Sequence, residues 1–332
     1  MSFVSQSPSR VMAALAVAAL VTGTALAFGP RAIAAPTENT GEPALSSRLE
    51  ASLPSGARNT SVVDLSSDGV DFAGLGADEF AEYEIGSITK TFTAELLRQE
   101  IEKGTVTLGS TVGEFLEVGD ASVGTVTLGE LATHTSGLTR SPGTDLVRTL
   151  TGGNPYVGIT PQRLVELAEN DNLSGRGEVN YSNLGVALLG QILAAINETT
   201  YSNLLSEHIL IPLGMEDTHI IVPGSDAELT TGLRLNGRPA EAWVMDGYAP
   251  AGAIRSTAAD MALWARYMLE TGVPEYTWVH EDDGTVWHNG TTGGFSSMLI
   301  LDPDSDSAVF AVTDTTVGME KTASEILKGQ GK

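Results

Sequence analysis

Strand-like segments lie near both ends of the chain, and helix-like segments fill the middle. Residues 61–65 and 70–75 are strand-like and flank Ser66-Ser67-Asp68-Gly69, which reads as a hairpin turn. Residues 276–280 and 285–288 flank Glu281-Asp282-Asp283-Gly284 in the same way, and residues 298–301 and 308–313 follow across Asp302-Pro303-Asp304. Strands so far apart in sequence share a sheet only if the intervening chain is an insertion. The pattern therefore predicts an α+β fold of the α/β-sandwich kind. One antiparallel sheet is built from both chain ends and flanked by helices, with a mostly helical insert at about 139–228.

Helix signals support this layout. Leu45, Leu49 and Leu53 form a stripe, and Phe92, Leu96, Leu97 and Ile101 repeat with helical period until Gly104. Thr160-Pro161 reads as a cap followed by proline at the first helical position. Residues 184–196 are apolar nearly all round, which implies a buried helix. Residues 201–209 read as another helix. Thr257 and Asp260 resemble a capping box ahead of a helix at 261–269, in which Trp264 and Tyr267 read as core. Residues 323–328 close the chain as a short helix.

Charge divides the chain unevenly. It has 332 residues, 42 acids, 18 Lys and Arg and a net charge of −24. Residues 1–35 hold none of those acids; they run from Arg10 through an apolar stretch at 11–28 to Ala32-Ile33-Ala34. This order reads as a signal peptide over residues 1–34, with an N-terminal membrane anchor as the alternative. Residues 35–44 read as a linker and 45–332 as a single domain. The expected location is secreted or in the cell envelope, with membrane contact only if the first segment stays uncleaved. The acid excess argues against nucleic acid, whose phosphates need Lys and Arg.

The chemistry is narrowed by exclusion. There is no cysteine, so no thiol nucleophile and no cysteine-based zinc site. The five histidines, His134, His208, His219, His280 and His288, lack H-x-H or H-E-x-x-H spacing, so no metal and no cofactor is expected. No serine stands in G-x-S-x-G. Among five lysines, only Lys90 has a serine three residues before it, in Ser87-Ile88-Thr89-Lys90. At a helix start, positions i and i+3 share a face and side chains lean toward the N-terminus, so the Lys90 amine would point at the Ser87 hydroxyl. A buried, neutral lysine could take the serine proton. The helix N-terminus around the Ser87 amide suits a forming oxyanion.

Two further motifs follow in order: Tyr181-Ser182-Asn183 ahead of the buried helix, and His288-Asn289-Gly290 with Thr291 after it. With S-x-x-K, Y-x-N and H-x-G together, the chain resembles the penicillin-recognising serine hydrolases: class C β-lactamases, DD-peptidases and their esterase and peptidase relatives. The likeness extends to LATHTSGL at 131–138, IPLGM at 211–215 and PAGAIRSTAAD at 250–260. It implies an acyl-enzyme on Ser87, with Lys90 and Tyr181 sharing the proton transfers. Asn183 would hold Lys90 and a substrate amide. The backbone amides of Ser87 and Thr291 would form the oxyanion hole, and Gly290 would let substrate lie close along the strand. The substrate would be a small molecule or peptide, such as a cell-wall peptide or a β-lactam. A D-Ala-D-Ala carboxypeptidase-like peptidase or an esterase leads, with a β-lactamase or a non-catalytic penicillin-binding sensor as alternatives. His288 stands where β-lactamases usually carry lysine, which weakens attraction for a substrate carboxylate. Tyr201 also fits Y-x-N but reads as structural. His134 reads as part of a helix-to-turn element. The segment 139–175 is expected to overhang the site, with Arg140, Asn154 and Tyr156 as candidate lining residues.

Overall fold

The computed structural model describes residues 29–329, so most of the expected signal segment lies outside the described residues. A seven-stranded antiparallel sheet runs in the order β1-β3-β2-β10-β9-β8-β7. Its strands are β1 (Asn39–Gly41), β2 (Thr60–Ser66), β3 (Gly69–Leu75), β7 (Val279–His280), β8 (Val286–Thr291), β9 (Ser296–Asp302) and β10 (Ser307–Thr313). The first and last parts of the chain meet at β2 and β10, where Val63 faces Phe310 and Ser61 faces Val312. The expected sheet from both ends is therefore present.

Both faces of the sheet are covered. Val62, Ala73, Met298, Ile300, Val309 and Ala311 pack with the helices Pro43–Ser52 and Glu320–Gly329. Their neighbours Val63, Leu65, Leu299, Leu301, Phe310 and Val312 face the main core. Side chains alternate along a strand, so burial on both faces requires an unbroken apolar run, as in residues 308–312. The main core also receives the helices Thr89–Glu102, Asn183–Ile196 and Ala258–Thr271. Trp264 stacks on Phe92 with ring centroids 3.9 Å apart and donates to Thr91 Oγ1 at 3.2 Å, which joins two of these helices.

Two expectations need correction. The segment 35–44 is not simply a linker. Residues Asn39–Gly41 pair with β3, and the first helix already begins at Pro43, capped by the Glu42 carboxylate. An edge of β3 was free to accept a strand, and composition alone does not reveal that. Asp260 does not reach back to complete a capping box. Thr257 caps the helix, while Asp260 accepts from the Asp217 amide at 2.9 Å and Thr218 Oγ1 at 2.7 Å.

A small second sheet was not foreseen. It consists of β4 (Tyr83–Glu84), β6 (Ile254–Ser256) and β5 (His219–Ile220), with β6 in the middle. Its strands are too short to give a sequence period. Its centre is ionic: Arg255 is buried and donates to Glu84 at 2.8 Å, to Glu82 at 2.6 Å and to the Thr230 carbonyl at 3.0 Å. Glu84 also accepts from the Trp243 amide at 2.7 Å. Burial raises the Glu84 pKa, against the lowering effect of Arg255. The network ties β4, which leads into Ser87, to the strap at 230–243.

Removing one partner would strand the other charge in the core. Glu84→Ala is expected to cost about 3–5 kcal/mol in urea unfolding, whereas Glu166→Ala, which breaks the exposed pair with Arg163, should cost under about 1 kcal/mol. Equal losses would contradict the network's structural weight.

Candidate active site

Ser87 lies in a 3₁₀ turn, Gly86–Ile88, between β4 and the helix Thr89–Glu102. The turn is held from two sides. The Ile85 amide donates to the Ile254 carbonyl at 3.1 Å, and Ser297 Oγ on β9 donates to the Ile85 carbonyl at 2.9 Å. Thr89 Oγ1 accepts from the Ile254 amide at 3.1 Å. Gly86 adopts φ +53°, a conformation that favours glycine.

Gly290 on β8 faces this turn. A Cβ there would stand 1.9 Å from the Ile85 carbonyl oxygen and 2.6 Å from Ser297 Oγ. Its missing side chain points into the protein, so glycine here seats β8 against the Ser87 turn. That differs from the expectation that Gly290 makes room for substrate. β7 pairs only with Val286 and Trp287, which leaves the outer edge of residues 288–291 open. The Thr292 amide bonds toward β9, at the Phe295 carbonyl. By the alternation of an antiparallel ladder, the Thr291 amide then points toward the open edge. It lies beside Gly86, whose Cβ position is 2.7 Å from Thr291 N. Ser87 follows Gly86 directly, so the Ser87 and Thr291 amides are neighbours in space.

Lys90 is completely buried. Its Nζ is hydrogen-bonded to Ser87 Oγ at 2.9 Å and donates to the Ala251 carbonyl at 2.6 Å. Burial, and then the nearby charge of Arg140, hold its pKa well below the usual lysine range. A neutral amine has two N–H donors and one lone pair. With one N–H on Ala251, the lone pair is available to the Ser87 hydroxyl.

Tyr181 comes from the loop ahead of the helix Asn183–Ile196, and its ring lies 5.0 Å from Lys90 Nζ. Burial pushes its hydroxyl up to about 12, with hydrogen bonding to Ser87 and the Arg140 charge offsetting part of the rise. Tyr181 is therefore a phenol at neutral pH, and Lys90 is the group pushed toward its proton-accepting form.

His134 positions this tyrosine. Its backbone is at φ 60°, its ring packs on Tyr181 with centroids 4.4 Å apart, and its Nδ1 accepts from the Ser182 amide at 3.2 Å. Only the LATHTSGL likeness pointed at this residue, and it gave no role. Ser182 caps the following helix by accepting from Gly185 N at 2.9 Å. Asn183 lies beside Ser87 in the cleft, but its amide donates to Ser141 Oγ at 2.9 Å, and no bond to Lys90 is present among the described residues. Tyr201 is structural: its hydroxyl meets Thr93 Oγ1 at 2.7 Å inside the core.

The cleft over Ser87 has a volume of about 370 Å³. Arg140, Ser141, Tyr156, Asn183, Trp243 and Thr291 are among the residues around it. The expectation that 139–175 overhangs the site fits Arg140 and Tyr156. Asn154 instead braces the strap, donating to the Val244 carbonyl at 2.7 Å. A second cavity of about 400 Å³ is lined by His134, Tyr181, Tyr276, Trp278 and His288. His288 is buried, with Nδ1 at 2.7 Å from the Asn289 carbonyl. Burial and then the Lys90 charge hold it down at about 3, so the ring is neutral. The positive group that a carboxylate-binding strand needs is missing here.

His288 and His134 link stability to pH. Their pKa values fall from 6.5 in the open chain to about 3 and about 4 in the folded protein. Between these limits the unfolded chain binds more protons, so stability is full above pH 6.5 and declines as the pH falls. His288→Gln should flatten that decline by up to about 1.4 kcal/mol per pH unit between pH 6 and 4. Parallel wild-type and variant curves in urea titrations would refute the neutral burial of His288.

A model of the Beta-lactamase family matches residues 70–328. "Penicillin-binding protein 4" of Amycolatopsis lactamdurans is 27% identical over 206 residues, covering 58% of this chain and 51% of that protein. "D-alanyl-D-alanine-carboxypeptidase/endopeptidase AmpH" of Escherichia coli K12 is 34% identical over 142 residues, covering 40% of this chain and 35% of that one. The chain thus spans about half or less of the length of these curated relatives. The solved class C β-lactamase of Rhodobacter sphaeroides superposes with a TM-score of 0.71 at 18% identity, over 86% of this chain and 99% of that one. The likeness of fold, the matched residues and the arrangement around Ser87 agree: the chain belongs to the β-lactamase family of serine hydrolases.

Proposed function

We propose that this protein cleaves amide or ester bonds through an acyl-enzyme on Ser87, as a peptidase- or esterase-type member of its family. The observation that carries this reading is the dehydrated Lys90 amine at 2.9 Å from the Ser87 hydroxyl, with no acid paired to it among the described residues. As Ser87 Oγ attacks a carbonyl, its proton passes to Lys90. The carbonyl oxygen becomes an anion facing the amides of Ser87 and Thr291. When the tetrahedral intermediate collapses, the phenol of Tyr181 protonates the leaving group and regains a proton from Lys90. Water then attacks the acyl-serine, gives a proton to the same pair, and Ser87 leaves with its hydroxyl restored.

The neutral His288 favours a leaving group without a free carboxylate. That supports an esterase or internal-bond peptidase over a carboxypeptidase or β-lactamase. Relatives described as a carboxypeptidase/endopeptidase and, among folds, a "D-stereospecific amidohydrolase" from Streptomyces are compatible with amide substrates. We further propose export to the envelope or medium, from the composition of residues 1–35.

Purified protein treated with an activated ester and with a fluorescent penicillin should turn over the ester and acquire penicillin label slowly. Ser87→Ala should lose both. Activity that survives Ser87→Ala would refute the mechanism. Rapid penicillin turnover would favour a β-lactamase instead. Mass spectrometry of protein secreted by an expressing cell should find an N-terminus near Ala35, and an intact Met1 would argue for a membrane anchor.

A further inference from the structure

Arg140 stands out in a chain with 42 acids. Its guanidinium is exposed at the wall of the Ser87 cleft, 4.9 Å from the Tyr181 ring centroid. It makes no hydrogen bond or ion pair through its side chain among the described residues. Other arginines of this region are engaged. Arg148 pairs with Glu241 at 3.0 Å, Arg176 with Glu130 at 2.7 Å, and Arg234 donates to the carbonyls of Leu150 and Thr151.

The acids near Arg140 have other hydrogen-bond partners. Asp171 accepts from the amide and hydroxyl of Thr139, at 3.0 and 2.7 Å. Asp145 caps the helix Leu146–Thr151 through the Arg148 amide at 3.0 Å. Glu241 is held by Arg148 and by the Asn154 amide at 2.9 Å. No acid lines the cleft among the described residues. The backbone fixes the place of Arg140, because its carbonyl accepts from the Asn183 and Leu184 amides at 2.8 and 3.2 Å. A guanidinium held in place, uncompensated and facing a cleft, is suited to a carboxylate.

The direction of the reaction says which part of the substrate meets it. The leaving group must approach Tyr181, its proton donor. Tyr181 lines the second cavity with His288 and the exposed Glu275, and no Lys or Arg is found there among the described residues, so this side does not attract an anionic leaving group. The acyl portion is left to the first cleft, beside Asn183, Ser141 and Arg140. We propose that Arg140 reads a carboxylate on the acyl portion of the substrate, so that the enzyme takes acyl groups with a terminal or side-chain carboxylate and releases an uncharged leaving group. This rests on the acyl-serine reading given above.

The test uses two esters that differ only in that charge: mono-p-nitrophenyl adipate and p-nitrophenyl hexanoate. The wild type should favour the adipate in kcat/KM, mainly through KM, and the preference should shrink with added salt. Arg140→Met should lower the adipate-to-hexanoate ratio about tenfold or more, and Arg140→Lys should restore part of it. A wild type without preference for the adipate overturns the proposal without any variant. So does a ratio that Arg140→Met leaves unchanged, since a role confined to tuning Lys90 lowers both esters together. Absence of Ser87-dependent hydrolysis of either ester refutes the acyl-serine reading itself, and the Arg140 assignment with it.

Discussion

Lys90 has its amine enclosed by protein, with one backbone carbonyl and one serine hydroxyl as its hydrogen-bond partners. A charged ammonium in that position would face the penalty of lost water without a counter-ion. The fold pushes the amine toward its neutral form, and that form is the one able to accept the Ser87 proton. Each element around Lys90 serves to keep water and acids away from it. The helix Asn183–Ile196 brings Tyr181 over the amine, the segment 249–252 supplies the Ala251 carbonyl, and the Ser87 turn is held between the two sheets.

The same dehydration sets the order of the other ionisable groups. Tyr181 and Lys90 move in opposite directions because burial disfavours the charged form of each, an anion for one and a cation for the other. Burial thus pushes one group toward its unprotonated form, ready to accept a proton, and keeps its neighbour protonated. His288 is held neutral chiefly by the same burial. A histidine at this strand position therefore acts as a shaped, uncharged wall. The ordinary histidine pKa would have suggested a group that titrates near neutral pH.

Much of this was legible in the residues. Ser87, Lys90 and Tyr181 carry their chemistry in side chains at a fixed spacing, so a motif can reveal them. The sheet from both ends was legible because burial on both faces forces apolar runs, as in residues 308–312. Other features depend on what tertiary packing places nearby. The Ala251 carbonyl has no side-chain signature. The reason for Gly290 is a carbonyl of residue 85, brought there only by the fold. The strand Asn39–Gly41 exists because β3 offers an edge, and its own Pro/Thr/Glu/Gly-rich surroundings read as linker. His134 is readable only after its ring is seen against Tyr181.

The charge pattern joins these observations. A chain so acidic would repel anionic substrates if its acids were spread evenly. Around the Ser87 cleft they are not. Glu84 and Glu82 are committed to Arg255 below the turn, Glu241 to Arg148 at the rim, and Asp171 to Thr139 beside Arg140. None of these carboxylates lines the cleft or pairs with Arg140 among the described residues. Electrostatically, the Ser87 cleft carries a cation at Arg140, while the neighbouring cavity at His288 has no cation and one exposed acid, Glu275. Such a site distinguishes the two halves of a substrate by charge, so the orientation of binding is set before any bond is made.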